Sequence, residues 1–101
     1  MRKAVILDYR QGFRNGAPAA RAILVLDGKN YLFDMTTLTS SYNPYRKTEC
    51  MVFKCDKKWK VRSWMEVYTR RGHMKVNRKS MIESIMAFCD LADFEKSKGL
   101  M

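Results

Sequence analysis

The chain has 101 residues, enough for one domain with a modest core. Hydrophobic residues make up 47% of it, which argues against disorder, yet no apolar run approaches the ~20 residues of a membrane span. Lysine and arginine number 20 against 10 acidic residues, and a net charge of +10 points to polyanionic partners.

The first expected strand is Lys3–Tyr9, centred on Ala4-Val5-Ile6-Leu7. That apolar run is too short for a signal peptide, so the expectation is a soluble cytoplasmic protein. Gln11–Pro18, with two glycines and a proline, reads as a loop carrying Phe13 and Arg14 between Arg10 and Arg21, either a mobile arm or a plain connection. Arg21–Leu26 and Asn30–Thr36 read as strands joined by Asp27-Gly28, a strong hairpin signal because the tight turn needs positive φ.

Thr37–Thr48 reads as a loop, Cys50–Cys55 as a fourth strand and Lys58–Thr69 as a fifth, with a turn at Asp56-Lys57. Arg70–Lys79 reads as a basic loop. Ser80 and Glu83 have the spacing of a capping box, opening a helix to about Lys96. Met81, Ile85, Phe88 and Ala92 fall on its apolar face, with Ile82, Met86 and Cys89 beside them. The expected fold is α+β: a five-stranded, mostly antiparallel sheet, open or barrel-like, with one C-terminal helix packed on it.

The charge is concentrated. Residues 57–79 hold nine basic side chains and one acid, Glu66. On a strand over 58–69, alternation places Trp59, Val61, Ser63, Met65 and Val67 on a core face. Lys60, Arg62, Trp64, Glu66, Tyr68 and Arg70 fall on the other. Cations interleaved with aromatic rings suit a single-stranded nucleic acid, since cations replace condensed counterions and rings stack on unpaired bases. The expected nucleic-acid-binding set is Lys57, Lys58, Lys60, Arg62, Trp64, Tyr68, Arg70, Arg71, His73, Lys75, Arg78 and Lys79, the last of them at a helix N-terminus that favours phosphate.

Other chemistry finds little support in the sequence. Cys50, Cys55 and Cys89 are an odd number, poor material for a disulfide framework. The five-residue step from Cys50 to Cys55 and the single histidine, His73, do not suit zinc. No metal or other cofactor is expected. No nucleotide-binding loop or nucleophile elbow is present, and one histidine has no second to share acid–base work. The motifs of RNA-recognition and KH modules are also missing. The reading is therefore a non-catalytic nucleic-acid-binding domain, RNA before DNA. The alternatives are a small inhibitor or adaptor, of the kind phages encode, docking on an acidic protein surface, and a small metal-independent ribonuclease.

Overall fold

The computed structural model describes residues 4–40 and 43–97, with side chains over 4–38 and 47–90. Five strands follow one another in the sheet in chain order: β1 (Ala4–Arg14), β2 (Ala17–Leu26), β3 (Lys29–Ser40), β4 (Asn43–Cys55) and β5 (Tyr68–Gly72). All neighbours are antiparallel. Helix α1 (Arg78–Ser97) completes an α+β arrangement. β1 and β5 stand at opposite edges, so the sheet is open and not closed into a barrel.

Turn chemistry sets the first three strands. Asp27 (φ 52°) and Gly28 (φ 75°) close β2 onto β3, as the sequence predicts. Asn15 (φ 52°) and Gly16 (φ 79°) do the same for β1 and β2. The segment expected as a loop over Gln11–Pro18 is thus two strand ends and a two-residue turn. β1 carries a bulge between Ile6 and Asp8 that shifts its register by one residue. The expected loop over Thr37–Thr48 is strand over residues 37–40 and 43–48, residues 41 and 42 lying outside the described residues: β3 and β4 pair from Asn30 and Cys55 out to Ser40 and Asn43. Pro44 is tolerated because β5 pairs with β4 only over Thr48–Val52.

The inner face of the sheet is apolar. Ala20, Ala22, Leu24 and Leu26 from β2 line up with Phe33 and Met35 from β3 and with Cys50 and Val52 from β4, all buried. Met81, Ile85 and Phe88 of α1 pack on them, as their spacing predicts. Phe88 is the keystone: its ring lies 5.1 Å from Tyr31, 5.8 Å from Phe33 and 5.7 Å from Tyr68. Burial of each large side chain here is worth about 1.5–3 kcal/mol. Ile82 and Met86 turn outward, and Ala92 lies outside the residues whose side chains are described.

The helix begins two residues before the expected capping box. Asn77 is the cap: its Oδ1 accepts the Ser80 amide at 2.8 Å, and its carbonyl accepts the Met81 amide at 3.1 Å. Asparagine caps as well as serine does. Ser80 is left in the first turn, buried, with its carbonyl accepting the Ser84 hydroxyl at 2.9 Å.

The fifth strand differs most. It occupies Tyr68–Gly72, not Lys58–Thr69. Asp56 breaks the extended chain before it starts: its carboxylate accepts the Lys58 amide at 2.8 Å, the Lys60 amide at 3.0 Å and the Arg62 Nε at 2.7 Å. Trp59 sits inside that turn with φ 63°. A left-handed residue there ends any two-residue alternation. Before β5, Val61 keeps a sheet-like bridge to Cys55, and the Val67 amide donates to the Val52 carbonyl at 2.8 Å. Met65 and Val67, expected in the core, are exposed.

Candidate nucleic-acid interface

Register fixes which side chains share the outer face, opposite α1. Across it run Arg10, Arg21, Asp34 and Met51, then Gly12, Ala19, Thr36 and Glu49, with Arg71 of β5 opposite Glu49. Arg14 joins this face from the end of β1. The connection over residues 56–67 places Trp64 edge-on against Phe53 at 5.1 Å, beside buried Leu32. The part of the face nearest the Asn15-Gly16 turn carries the arginines.

Those arginines are held by acids beneath or beside them. Asp34, only 9% exposed, accepts both of its bonds to Arg14 from Nη2, at 3.1 and 3.2 Å, while Arg14 Nη1 donates to Thr36 Oγ1 at 3.0 Å. Arg21 Nη2 reaches the same carboxylate at 3.4 Å. Arg71 Nε donates to Glu49 at 2.6 Å, and Arg10 Nε to Asp8 at 2.9 Å. Arg10 and Arg21 stand directly opposite each other across two strands, a like-charge placement that weakens a sheet unless anions offset it. Among the described residues Arg10 and Arg71 are engaged through Nε, Arg21 through one Nη and Arg14 through both Nη groups, so each keeps donors for a further anion.

The expected interface residues are not brought together. Lys57, Lys58, Lys60 and Arg62 surround the Asp56 turn at the far end of β4, where Arg62 pairs with Asp56. The Lys60 amide above all, with the Lys58 amide and Arg62, holds the Asp56 carboxyl below its ordinary range. Arg71, His73, Lys75, Arg78 and Lys79 lie near the other end, with Arg78 over the Tyr9 ring at 5.9 Å. Burial raises the Tyr9 phenol, and Arg78 opposes it. From Thr48 to Cys55 the two ends are roughly 20 Å apart at ~3.3 Å per residue.

Tyr68 and Arg70 leave the expected set altogether as solvent-facing groups. Strand β5 turns them inward, where Tyr68 meets Phe88 and Arg70 Nη1 donates to Ser84 Oγ at 2.9 Å. Arg70 also lies 3.7 Å from Glu83. Trp59, expected in the core, is half-buried in the turn; Trp64 is 62% exposed, but on a loop and not a strand.

The arginines of β1 and β2 fell outside the expected binding set. Their signal was present: a two-residue Asn15-Gly16 turn places Arg10 opposite Arg21 automatically. Among the described residues no three histidine, cysteine or acidic side chains converge on a point that could hold a metal. No helix is long and apolar enough to cross a membrane among the described residues. Comparison with protein-family models, curated proteins and solved structures finds no match.

Proposed function

We propose that this domain binds single-stranded nucleic acid, RNA before DNA, without cleaving it, and that phosphates run along Arg10, Arg14, Arg21 and Arg71. The observation that carries this reading is the clustering of these guanidiniums on the sheet face that α1 leaves uncovered, with Arg14 and Arg21 oriented by one nearly buried carboxylate. A guanidinium fixed by one carboxylate still presents its remaining donors in a plane suited to phosphate. Exposed Trp64 lies on this face against Phe53, and exposed Phe13 stands at the β1 edge, where alternation turns it away from Arg10 and Arg14; both rings offer stacking surfaces for unpaired bases.

The test is a salt titration of binding to a labelled single-stranded RNA. Neutralising about four to six phosphates gives a slope of log K against log salt of roughly −3 to −4. Replacing Arg10, Arg14 and Arg21 together with alanine is expected to reduce that slope by about 2. A flat salt response, or no binding at low salt, refutes the reading.

A second reading follows from a different feature. Trp64, Met65 and Val67 are exposed on one connection, next to Lys57, Lys58 and Lys60. An apolar patch rimmed by lysines suits docking on an acidic protein surface, as an inhibitor or adaptor would require. Capture of one protein partner that survives nuclease treatment, and is lost on replacing Trp64 and Met65 with serine, favours this alternative.

A further inference from the structure

Gly12 has no conformational reason to be glycine. Its φ is not positive, and a Cβ built on it meets nothing within 4 Å. A glycine inside a strand costs about 0.5–1 kcal/mol relative to alanine. Glycines in such places characteristically let another backbone or a ligand approach closely. Among the described residues no atom uses the space, although two cavities meet there.

One cavity, of about 250 Å³, lies among Arg10, Arg14, Arg21 and Ala19. The other, of about 650 Å³, is walled by Pro18, Met74, Val76, Thr37, Thr48 and Lys75. Gln11, Gly12 and Phe13 line both. The larger volume falls within the ~300–1,000 Å³ range of small-ligand sites. Its walls are held firmly. Gln11 Nε2 donates to the Val76 carbonyl at 3.0 Å, the Tyr9 hydroxyl donates to Gln11 Oε1 at 2.9 Å, and the Thr48 hydroxyl donates to the Met74 carbonyl at 2.6 Å. Phe13 is 80% exposed at this point, the most exposed large apolar side chain among the described residues.

We propose that Gln11-Gly12-Phe13 is a saddle over which a single strand leaves the arginine face, and that the larger cavity takes one unpaired base stacked on Phe13. The inference rests on the nucleic-acid reading above. The occupant follows from the chemistry of the site. Pro18, Met74 and Val76 suit the flat faces of a base. The Thr37 and Thr48 hydroxyls, which donate to the Pro18 and Met74 carbonyls, keep lone pairs to accept from an N–H of its polar edge. Lys75 at the wall, with Arg78 and Lys79 on the adjoining first turn of α1, suits the phosphates on either side. A duplex cannot use such a site, because its bases are already stacked and paired.

The experiment compares the wild type with Gly12→Val and Phe13→Ala in titrations of a labelled short oligouridine and of a blunt RNA duplex, with thermal unfolding of each variant. Gly12→Val is expected to melt at or above the wild-type temperature, since the new side chain enters open space and favours the strand. It is nonetheless expected to bind oligouridine about tenfold more weakly, the scale of one lost stacked base. Phe13→Ala is expected to lose about 5- to 150-fold in oligouridine affinity, with the salt slope and the duplex affinity unchanged. If both variants bind oligouridine as the wild type does while the triple arginine variant is impaired, the saddle and base site are wrong and the arginine-face reading stands. If the wild type binds no oligouridine at low salt, both fall.

Discussion

Arg14 of β1 reaches across β2 to Asp34 of β3, where one of its nitrogens lies 3.1 and 3.2 Å from the two carboxylate oxygens, and its other nitrogen holds Thr36 at 3.0 Å. One planar side chain thereby ties β1 to β3 across β2 at the end of the sheet where β1 turns into β2. A lysine has no such fork.

Arg14→Lys separates the roles of shape and charge. Arg14 is 39% exposed at its side chain, so solvent shares the load and the expected loss is only about 0.5–1 kcal/mol. Urea unfolding measures it. The salt slope of RNA binding is expected to stay as it is in the wild type, because the charge remains, whereas Arg14→Ala lowers it by about 0.7. A lysine variant as stable as the wild type would show that the fork contributes nothing.

Arg70 and Arg71 are neighbours with opposite duties, because successive strand residues face opposite sides. Arg70 bonds Ser84, which is fully buried on α1, whereas Arg71 is 67% exposed over Glu49. Arg70→Ala is expected to cost about 1–2 kcal/mol of stability, the worth of a charge-assisted bond to a buried group. The Glu83 pair at 3.7 Å adds little, being half exposed. Arg71→Ala is expected to cost under about 1 kcal/mol and to lower the salt slope by about 0.7. An Arg70 variant of full stability and impaired RNA binding would reverse the assignment.

This division of labour also marks where the sequence stops being readable. The Asp27-Gly28 hairpin and the Met81, Ile85 and Phe88 stripe are local signals, and each appears in the structure where its spacing puts it. The false strand over 58–69 has equally regular alternation. What cancels it is Asp56, whose single carboxylate gathers two amides and a guanidinium into a turn, an effect that pattern counting does not register. Which way Tyr68 and Arg70 face depends on the register of β5 against β4, a long-range choice that nothing between residues 56 and 72 encodes. The arginines of β1 and β2 belong to a third kind. Asn15-Gly16 is as good a turn signal as Asp27-Gly28, but the glycine and proline around it suggest a loop, and the strand that carries Arg10 and Arg14 is obscured.

Cys50 provides a pH test of the core. It is fully buried between Met35 and β5, and burial pushes its thiol up to about 11 from an ordinary value of 9.0, against a lowering contribution from its bond with Ser84. The folded state therefore holds the thiol proton more tightly than the unfolded chain does. The stability this confers is complete below about pH 9 and is lost as pH rises through about 11. Over that window the loss amounts to roughly 2–3 kcal/mol, at about 1.4 kcal/mol per pKa unit. Lysines and tyrosines titrate in the same range, so the measurement is a difference: urea unfolding of the wild type and of Cys50→Ala at several values between pH 8 and pH 11. The alanine variant is expected to be the less stable at pH 8, because it leaves a small cavity, and the gap is expected to narrow as pH rises. The native thiol is also expected to resist alkylation near neutral pH, since the thiolate is the reacting form. A stability gap that stays constant across the whole range would show that Cys50 does not titrate with unfolding and that its surroundings are wetter than its burial implies.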